Sequence, residues 1–129
     1  MENFRVLVVD DEEDFLETIV KRLQDRHLEV MGAESGVKAL ELMDGRDFDV
    51  VVLDVKMPGM DGIDTLKEMK KKKPLTEVIM LTGHASVESG IQGMQLGAFD
   101  YVMKPVPLDE LLDKMRQAYE RKLIQEGKA

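Results

Sequence analysis

Arg5-Val6-Leu7-Val8-Val9-Asp10-Asp11 sets one arginine before a run of consecutive apolar residues and ends that run on two acids. An apolar run this short reads as a strand buried on both faces, and such a strand calls for a parallel sheet covered by helices on either side. The acids then lie on the loop at the strand's carboxyl end, where open α/β sheets bind their ligands. The design recurs along the chain: Val50 to Leu53 runs into Asp54, Val78 to Leu81 into Thr82-Gly83, and Asp100 to Met103 into Lys104-Pro105. A paired acid, a lone aspartate, a hydroxyl and a lysine would meet at one edge of the sheet. Those groups suit a bound Mg²⁺ and a phosphoryl group.

Helical spacing fills the intervals. Phe15, Ile19, Val20 and Leu23 share one helical face. His27 to Met31 reads as a short, weaker strand that Gly32 ends, and Ser35 is an N-cap for a helix carrying Val37, Leu40 and Met43. Asp61 caps a further helix bearing Ile63, Leu66 and Met69, in which Lys70 to Lys73 complement the dipole before Pro74 stops it. Val87 to Leu96 reads as helical despite Gly90 and Gly93. A last helix from about Leu108 to Ile124 aligns Leu108, Leu111, Leu112, Met115 and Tyr119. The order is a (βα)₅ repeat in one domain over residues 1–129, with a core from about 4 to 123 and a tail, about 125–129, expected to fray. Such an alternation predicts a doubly wound parallel sheet with right-handed crossovers.

Composition narrows the function class. The chain has 129 residues, 43% of them hydrophobic, which supports a core without a metal or disulfide staple. It contains no cysteine, which fits a reducing compartment. Neither a secretory leader nor a window near the roughly 18 apolar residues of a membrane span occurs, so a soluble, cytoplasmic protein is expected. A net charge of −8 disfavours direct binding to nucleic acid, which rests on Lys and Arg neutralising phosphates. Partners are expected to be proteins.

Each polar cluster also has a plainer role. Acids at a helix N-terminus complement its dipole, which accounts for Glu12, Glu13 and Asp14. It leaves unexplained Asp10 and Asp11 at the end of a buried strand, near a third acid at Asp54, where the carboxylates would repel one another without a cation. A hard divalent ion with oxygen ligands relieves that repulsion. Asp54 could cap a turn, but beside a cation its carboxylate is an oxygen nucleophile able to form an aspartyl-phosphate. Thr82 can be an ordinary β-branched strand residue or a hydroxyl donor to a phosphoryl oxygen. Lys104 can be a solvated strand end or the cation that pairs with that group.

Taken together and in order, Val8-Val9-Asp10-Asp11-Glu12, Leu53-Asp54, Lys56-Met57-Pro58-Gly59-Met60-Asp61-Gly62, Leu81-Thr82-Gly83 and Tyr101-Val102-Met103-Lys104-Pro105 resemble the response-regulator receiver domain of two-component signalling, from about Phe4 to Leu123. The resemblance implies a flavodoxin-like fold with strand order 2-1-3-4-5 and phosphorylation of Asp54 by a sensor histidine kinase or a phosphotransfer protein. It implies Mg²⁺ bound directly by Asp11, Asp54 and the backbone carbonyl of Lys56, with Asp10 acting through water. Lys104 would pair with the phosphoryl group, the peptide bond between Lys104 and Pro105 would be cis, and Thr82 and Tyr101 would couple in switching. Lys56 and His84 would tune the lifetime of the acyl phosphate. The switched face would comprise the fourth helix, fifth strand and fifth helix, acting on an output domain or target protein or through a phosphorylation-dependent homodimer. Leu81-Thr82-Gly83-His84-Ala85 and Gly97-Ala98-Phe99-Asp100-Tyr101 are similar to receivers of transcriptional activators that carry an ATPase domain.

Two other classes fit less well. A flavin-binding chain would need a Ser/Thr/Gly-rich phosphate loop after Val9, where this chain has acids. A phosphatase of the haloacid-dehalogenase type would need a general acid two residues after Asp54, where this chain has Lys56. The expected protein is therefore a signalling phosphoacceptor and no enzyme beyond transfer to, and loss from, its own aspartate.

Overall fold

The computed structural model describes residues 3–55, 61–83 and 87–128, without the side chains of Val87 and Glu88. Strands and helices alternate: β1 Arg5–Val9, α1 Glu13–Gln24, β2 Glu29–Ala33, α2 Gly36–Gly45, β3 Val50–Asp54, α3 Gly62–Lys72, β4 Glu77–Thr82, α4 Val87–Gln95, β5 Asp100–Met103 and α5 Leu108–Gln125. All pairings are parallel, and the sheet order is β2-β1-β3-β4-β5. The parallel sheet is the one expected of the (βα)₅ pattern, and its order is the flavodoxin-like one that the resemblance implies.

The continuous apolar strands divide their side chains between two cores, because successive residues of a strand point to opposite faces. Val6, Val8, Val50, Val52, Ile79 and Leu81 pack with Leu16 and Leu23 of α1 and with Leu111, Leu112, Met115 and Ala118 of α5. Leu7, Val9, Val51, Leu53, Val78 and Met80 pack with Ala39 and Met43 of α2 and Leu66 and Met69 of α3. Phe4 stacks on Tyr119 with ring centroids 4.8 Å apart, tying the start of the chain to α5. Ser35 Oγ accepts from the Lys38 N–H and Asp61 Oδ1 from the Asp64 N–H, so both expected caps hold.

The second strand differs from its sequence reading at both ends. His27 is no strand residue: it has φ +68°, and its N–H donates to the Gln24 carbonyl while the Leu28 N–H donates to the Leu23 carbonyl. It terminates α1 in the left-handed conformation that usually selects glycine. Gly32 continues the strand instead of ending it. A Cβ there would sit 3.1 Å from Leu16 Cδ1 and 3.2 Å from Val20 Cγ2, so its missing side chain lets α1 lie close to β2.

Glu77 is a second departure, an acid only 1% exposed at the start of a strand read as apolar. Lys70 Nζ lies 3.6 Å from Glu77 Oε1, and Arg121 Nε lies 3.0 Å from Glu77 Oε2. Lys70 therefore leaves the solvated lysine run and turns inward, donating also to the carbonyls of Pro74 and Thr76 at 2.9 and 3.0 Å. Burial pushes the Lys70 ammonium below its ordinary pKa, and Glu77 partly opposes that shift. Among the described residues, no helix is long and apolar enough to cross a membrane.

Candidate functional site

The register of the sheet assembles the site. Val9 of β1 pairs with Leu53 of β3, so Asp10 and Asp54, the next residue in each case, emerge side by side from the two central strands. Asp54 in turn pairs with Leu81, and Thr82 with Met103, so Thr82 and then Lys104 each extend one residue beyond the neighbouring strand. Backbone bonds hold this stepped edge: Asp10 N–H donates to the Ala33 carbonyl at 3.1 Å and Lys104 N–H to the Thr82 carbonyl at 2.7 Å.

Asp10, Asp11 and Asp54 bring carboxylate oxygens within 4.8 Å of one another. Asp10 and Asp54 are buried, and Asp11 is exposed at the mouth. Lys104 Nζ enters the same cluster, 2.6 Å from Asp10 Oδ2 and 4.0 Å from Asp54 Oδ2. Three carboxylates facing one ammonium leave a net negative pocket of oxygen donors. That donor set fits a hard divalent cation, and Mg²⁺ is the ion that receiver domains hold at such an acidic cluster. Lys104 supplies part of the compensating charge.

Thr82 is 1% exposed at the end of β4. Tyr101 is half-buried on β5, and a Cβ built on Gly90 of α4 would lie 3.3 Å from its ring. Thr82 is thus beside the acid cluster and Tyr101 further down the adjoining strand against α4. The peptide bond between Lys104 and Pro105 is cis. Lys56 and His84 lie outside the described residues.

Three residues hold roles at the site that the sequence reading did not assign them. The Glu12 N–H donates to Asp10 Oδ1 at 2.9 Å, and its carboxylate reaches within 3.8 Å of Lys104 Nζ, so Glu12 does more than complement a dipole. Gly62 opens α3 against the end of β3, with its N–H on the Val55 carbonyl at 2.9 Å; a Cβ there would collide with the Val55 Cα and the Asp54 carbonyl. Phe15 places its ring centroid 4.1 Å from Lys104 Nζ. Its helical spacing marked it as a core residue, and nothing local signalled the lysine.

Residues 6–116 match the response regulator receiver domain family. The regulatory protein AtoC of Escherichia coli K12 is 42% identical over 107 residues, covering 83% of this chain and 23% of AtoC. The chain therefore spans about a quarter of that relative's length. A receiver domain protein from Clostridium thermocellum superposes with a TM-score of 0.90 at 37% identity, covering 95% of this chain and 98% of the other. A response regulator from Burkholderia pseudomallei, solved with a phosphorylated aspartic acid, a calcium ion and citrate, aligns with a TM-score of 0.84 at 25% identity, covering 95% of this chain and 72% of that one. The matched span runs from β1 into α5 and carries the whole acid and lysine edge, and the chain belongs to the response regulator receiver domain family of two-component signalling.

Proposed function

We propose that this domain is the cytoplasmic phosphoacceptor of a two-component pathway, with Asp54 as the residue phosphorylated by a partner histidine kinase or phosphotransfer protein. The observation that carries the proposal is the Asp54 carboxylate, 6% exposed at the end of β3, set among the oxygens of Asp10 and Asp11 with an ammonium 4.0 Å away. The structure of a relative holding a phosphorylated aspartic acid and a divalent cation supports the same chemistry.

An Asp54 oxygen attacks the phosphorus of the donor phosphohistidine. The new P–O bond forms as the P–N bond breaks, and the electron pair stays on the imidazole nitrogen, which takes up a proton. Asp10, Asp11 and Asp54, with the backbone carbonyl of Lys56, would hold Mg²⁺, which when bound offsets the charge of the incoming phosphoryl oxygens. Lys104 exchanges its bond to Asp10 for one to a phosphoryl oxygen, a charge-assisted contact. The Thr82 hydroxyl donates to another of those oxygens, and Tyr101 follows the movement of β4 against α4. Water later attacks the phosphorus, releasing phosphate and regenerating the carboxylate, with Lys56 and His84 tuning the rate. The domain turns over only its own phosphoryl group and is in that sense no enzyme.

The altered face is that of α4, β5 and α5. Ile91 and Met94 of α4 and Met103 of β5 are 55%, 46% and 50% exposed, apolar side chains available to an output domain, a target protein or a second phosphorylated copy. Acetyl phosphate with Mg²⁺ should add one hydroxylamine-labile phosphoryl group to the wild-type protein by intact mass, and none to Asp54→Asn. Comparable labelling of Asp54→Asn would overturn the assignment, and many turnovers of a small phosphomonoester would indicate a phosphatase instead.

A further inference from the structure

A lysine side chain has a strongly hydrated head on a flexible stem and by default extends that head into water. Lys104 does not: its side chain is only 14% exposed, and its Nζ lies 2.6 Å from Asp10, 3.8 Å from Glu12 and 4.0 Å from Asp54. Charge alone does not choose among these acids. Glu12 is 71% exposed, so it offers the ammonium a solvated partner on the outer side. On one side of the ammonium stands the half-buried ring of Phe15, in the first turn of α1, with its centroid 4.1 Å from Nζ. An aromatic face attracts an ammonium and denies water access to that side of it.

We propose that Phe15 is a positioning residue for phosphoryl transfer, holding the Lys104 ammonium between Asp10 and Asp54 so that it meets a phosphoryl oxygen by exchanging one partner. The inference rests on the phosphoacceptor reading of Asp54. The 4.0 Å from Lys104 Nζ to Asp54 Oδ2 exceeds a hydrogen bond, and a phosphoryl oxygen carried by Asp54 would close the interval. Without the ring the ammonium would divide its time between the pocket and the Glu12 side, and the chemistry would lose the fraction spent outside.

Two measurements test this. In the unphosphorylated protein, the Lys104 ε-methylene protons, assigned by their loss in Lys104→Met, should be shifted upfield by the ring current of Phe15. Phe15→Leu should return them to the range of the other lysines, and an unshifted wild-type resonance would overturn the contact. With acetyl phosphate and Mg²⁺, Phe15→Leu should slow labelling by about three- to tenfold, the range expected of a partly desolvated cation–π contact. Phe15→Tyr keeps the ring and should restore the rate. In a Lys104→Ala background, Phe15→Leu should add no further slowing. Equal slowing with and without Lys104 would assign Phe15 to core packing alone and overturn the proposal, as would an unchanged rate in Phe15→Leu. If the wild-type protein takes up no phosphoryl group, the phosphoacceptor reading fails and the positioning role falls with it, whereas the ring-current measurement still decides whether the ring holds the lysine.

Discussion

His27 shows how one residue can carry strain unrelated to the site. Its φ of +68° places a β-carbon in a region that costs an L-residue about 1 kcal/mol, which glycine avoids. His27→Gly should therefore raise the unfolding free energy by up to about 1 kcal/mol, less the extra chain entropy of an unfolded glycine, and urea denaturation will measure it. At the acid cluster, Thr82 and Lys104 are expected to separate chemistry from transmission. Thr82→Ala should still accept the phosphoryl group on Asp54 while the response of the α4–β5–α5 face weakens. Lys104→Ala loses both the ion pair to Asp10 and the phosphate-paired cation, so its labelling should slow as well. Normal phosphorylation-dependent dimerisation or output in both variants would remove these residues from the switch.

Among the elements, α4 carries two glycines whose neighbours give them different roles. A Cβ on Gly93 would collide with the end of the Met80 side chain, which is fully buried, whereas one on Gly90 would meet the face of Tyr101 at 3.3 Å. Gly93 therefore serves close packing, and Gly93→Ala should cost about 1 to 3 kcal/mol as Met80 is forced aside. Gly90 sits at the contact between α4 and the residue expected to respond to Thr82. Amide exchange should be faster in α4 than in the 18-residue α5, and should change in α4 when Asp54 is phosphorylated. Equal protection of the two helices, with no phosphorylation-linked change in α4, would exclude α4 as the relay. At the far end of α5, the Lys122 ammonium hydrogen-bonds Glu126 at 2.7 Å and Asp49 at 3.0 Å. The bond from Lys122 holds the Glu126 carboxyl below its ordinary value of 4.5. This contact stabilises the fold above pH 4.5 and is lost as pH falls through the lowered value. Melting curves of wild type and Glu126→Gln should therefore differ at neutral pH and converge in acid.

For the molecule as a whole, the acid edge links metal binding to stability. Asp10, Asp11 and Asp54 converge only when β1 and β3 are paired, so Mg²⁺ held there would bind only the folded state and should stabilise it by roughly 1.4 kcal/mol at ten times its Kd. The melting temperature should rise with Mg²⁺ in wild type. Asp11→Asn should lose most of that rise, and an unchanged titration would place the ion elsewhere. Mg²⁺ held at Asp10 would compete with the Lys104 ammonium for that carboxylate, so Lys104→Ala should bind Mg²⁺ more tightly than wild type.

The alternation of strands and helices could be read before any tertiary contact was known, because it rests on local chemistry: consecutive apolar residues at Val6 to Val9 and Val50 to Leu53, helical spacing from Phe15 to Leu23, and caps at Ser35 and Asp61. The polar residues of the edge were legible for the same reason, each following directly on a strand. The start of β2 was not, since Leu28-Glu29-Val30 suits a strand whether or not His27 closes a helix, and the choice follows from how α1 ends. Gly32 and Gly93 likewise take their meaning from Leu16, Val20 and Met80, side chains on other elements. Sequence by itself determined the (βα)₅ order and the residue types offered at the carboxyl edge. Tertiary structure alone decided that Glu77 is buried between Lys70 and Arg121, and that Phe15 faces Lys104. The reason is physical: a buried charge or a desolvated ammonium is tolerable only beside a favourable group, and here Lys70 comes from the helix just before Glu77 while Arg121 and Phe15 come from helices far away along the chain.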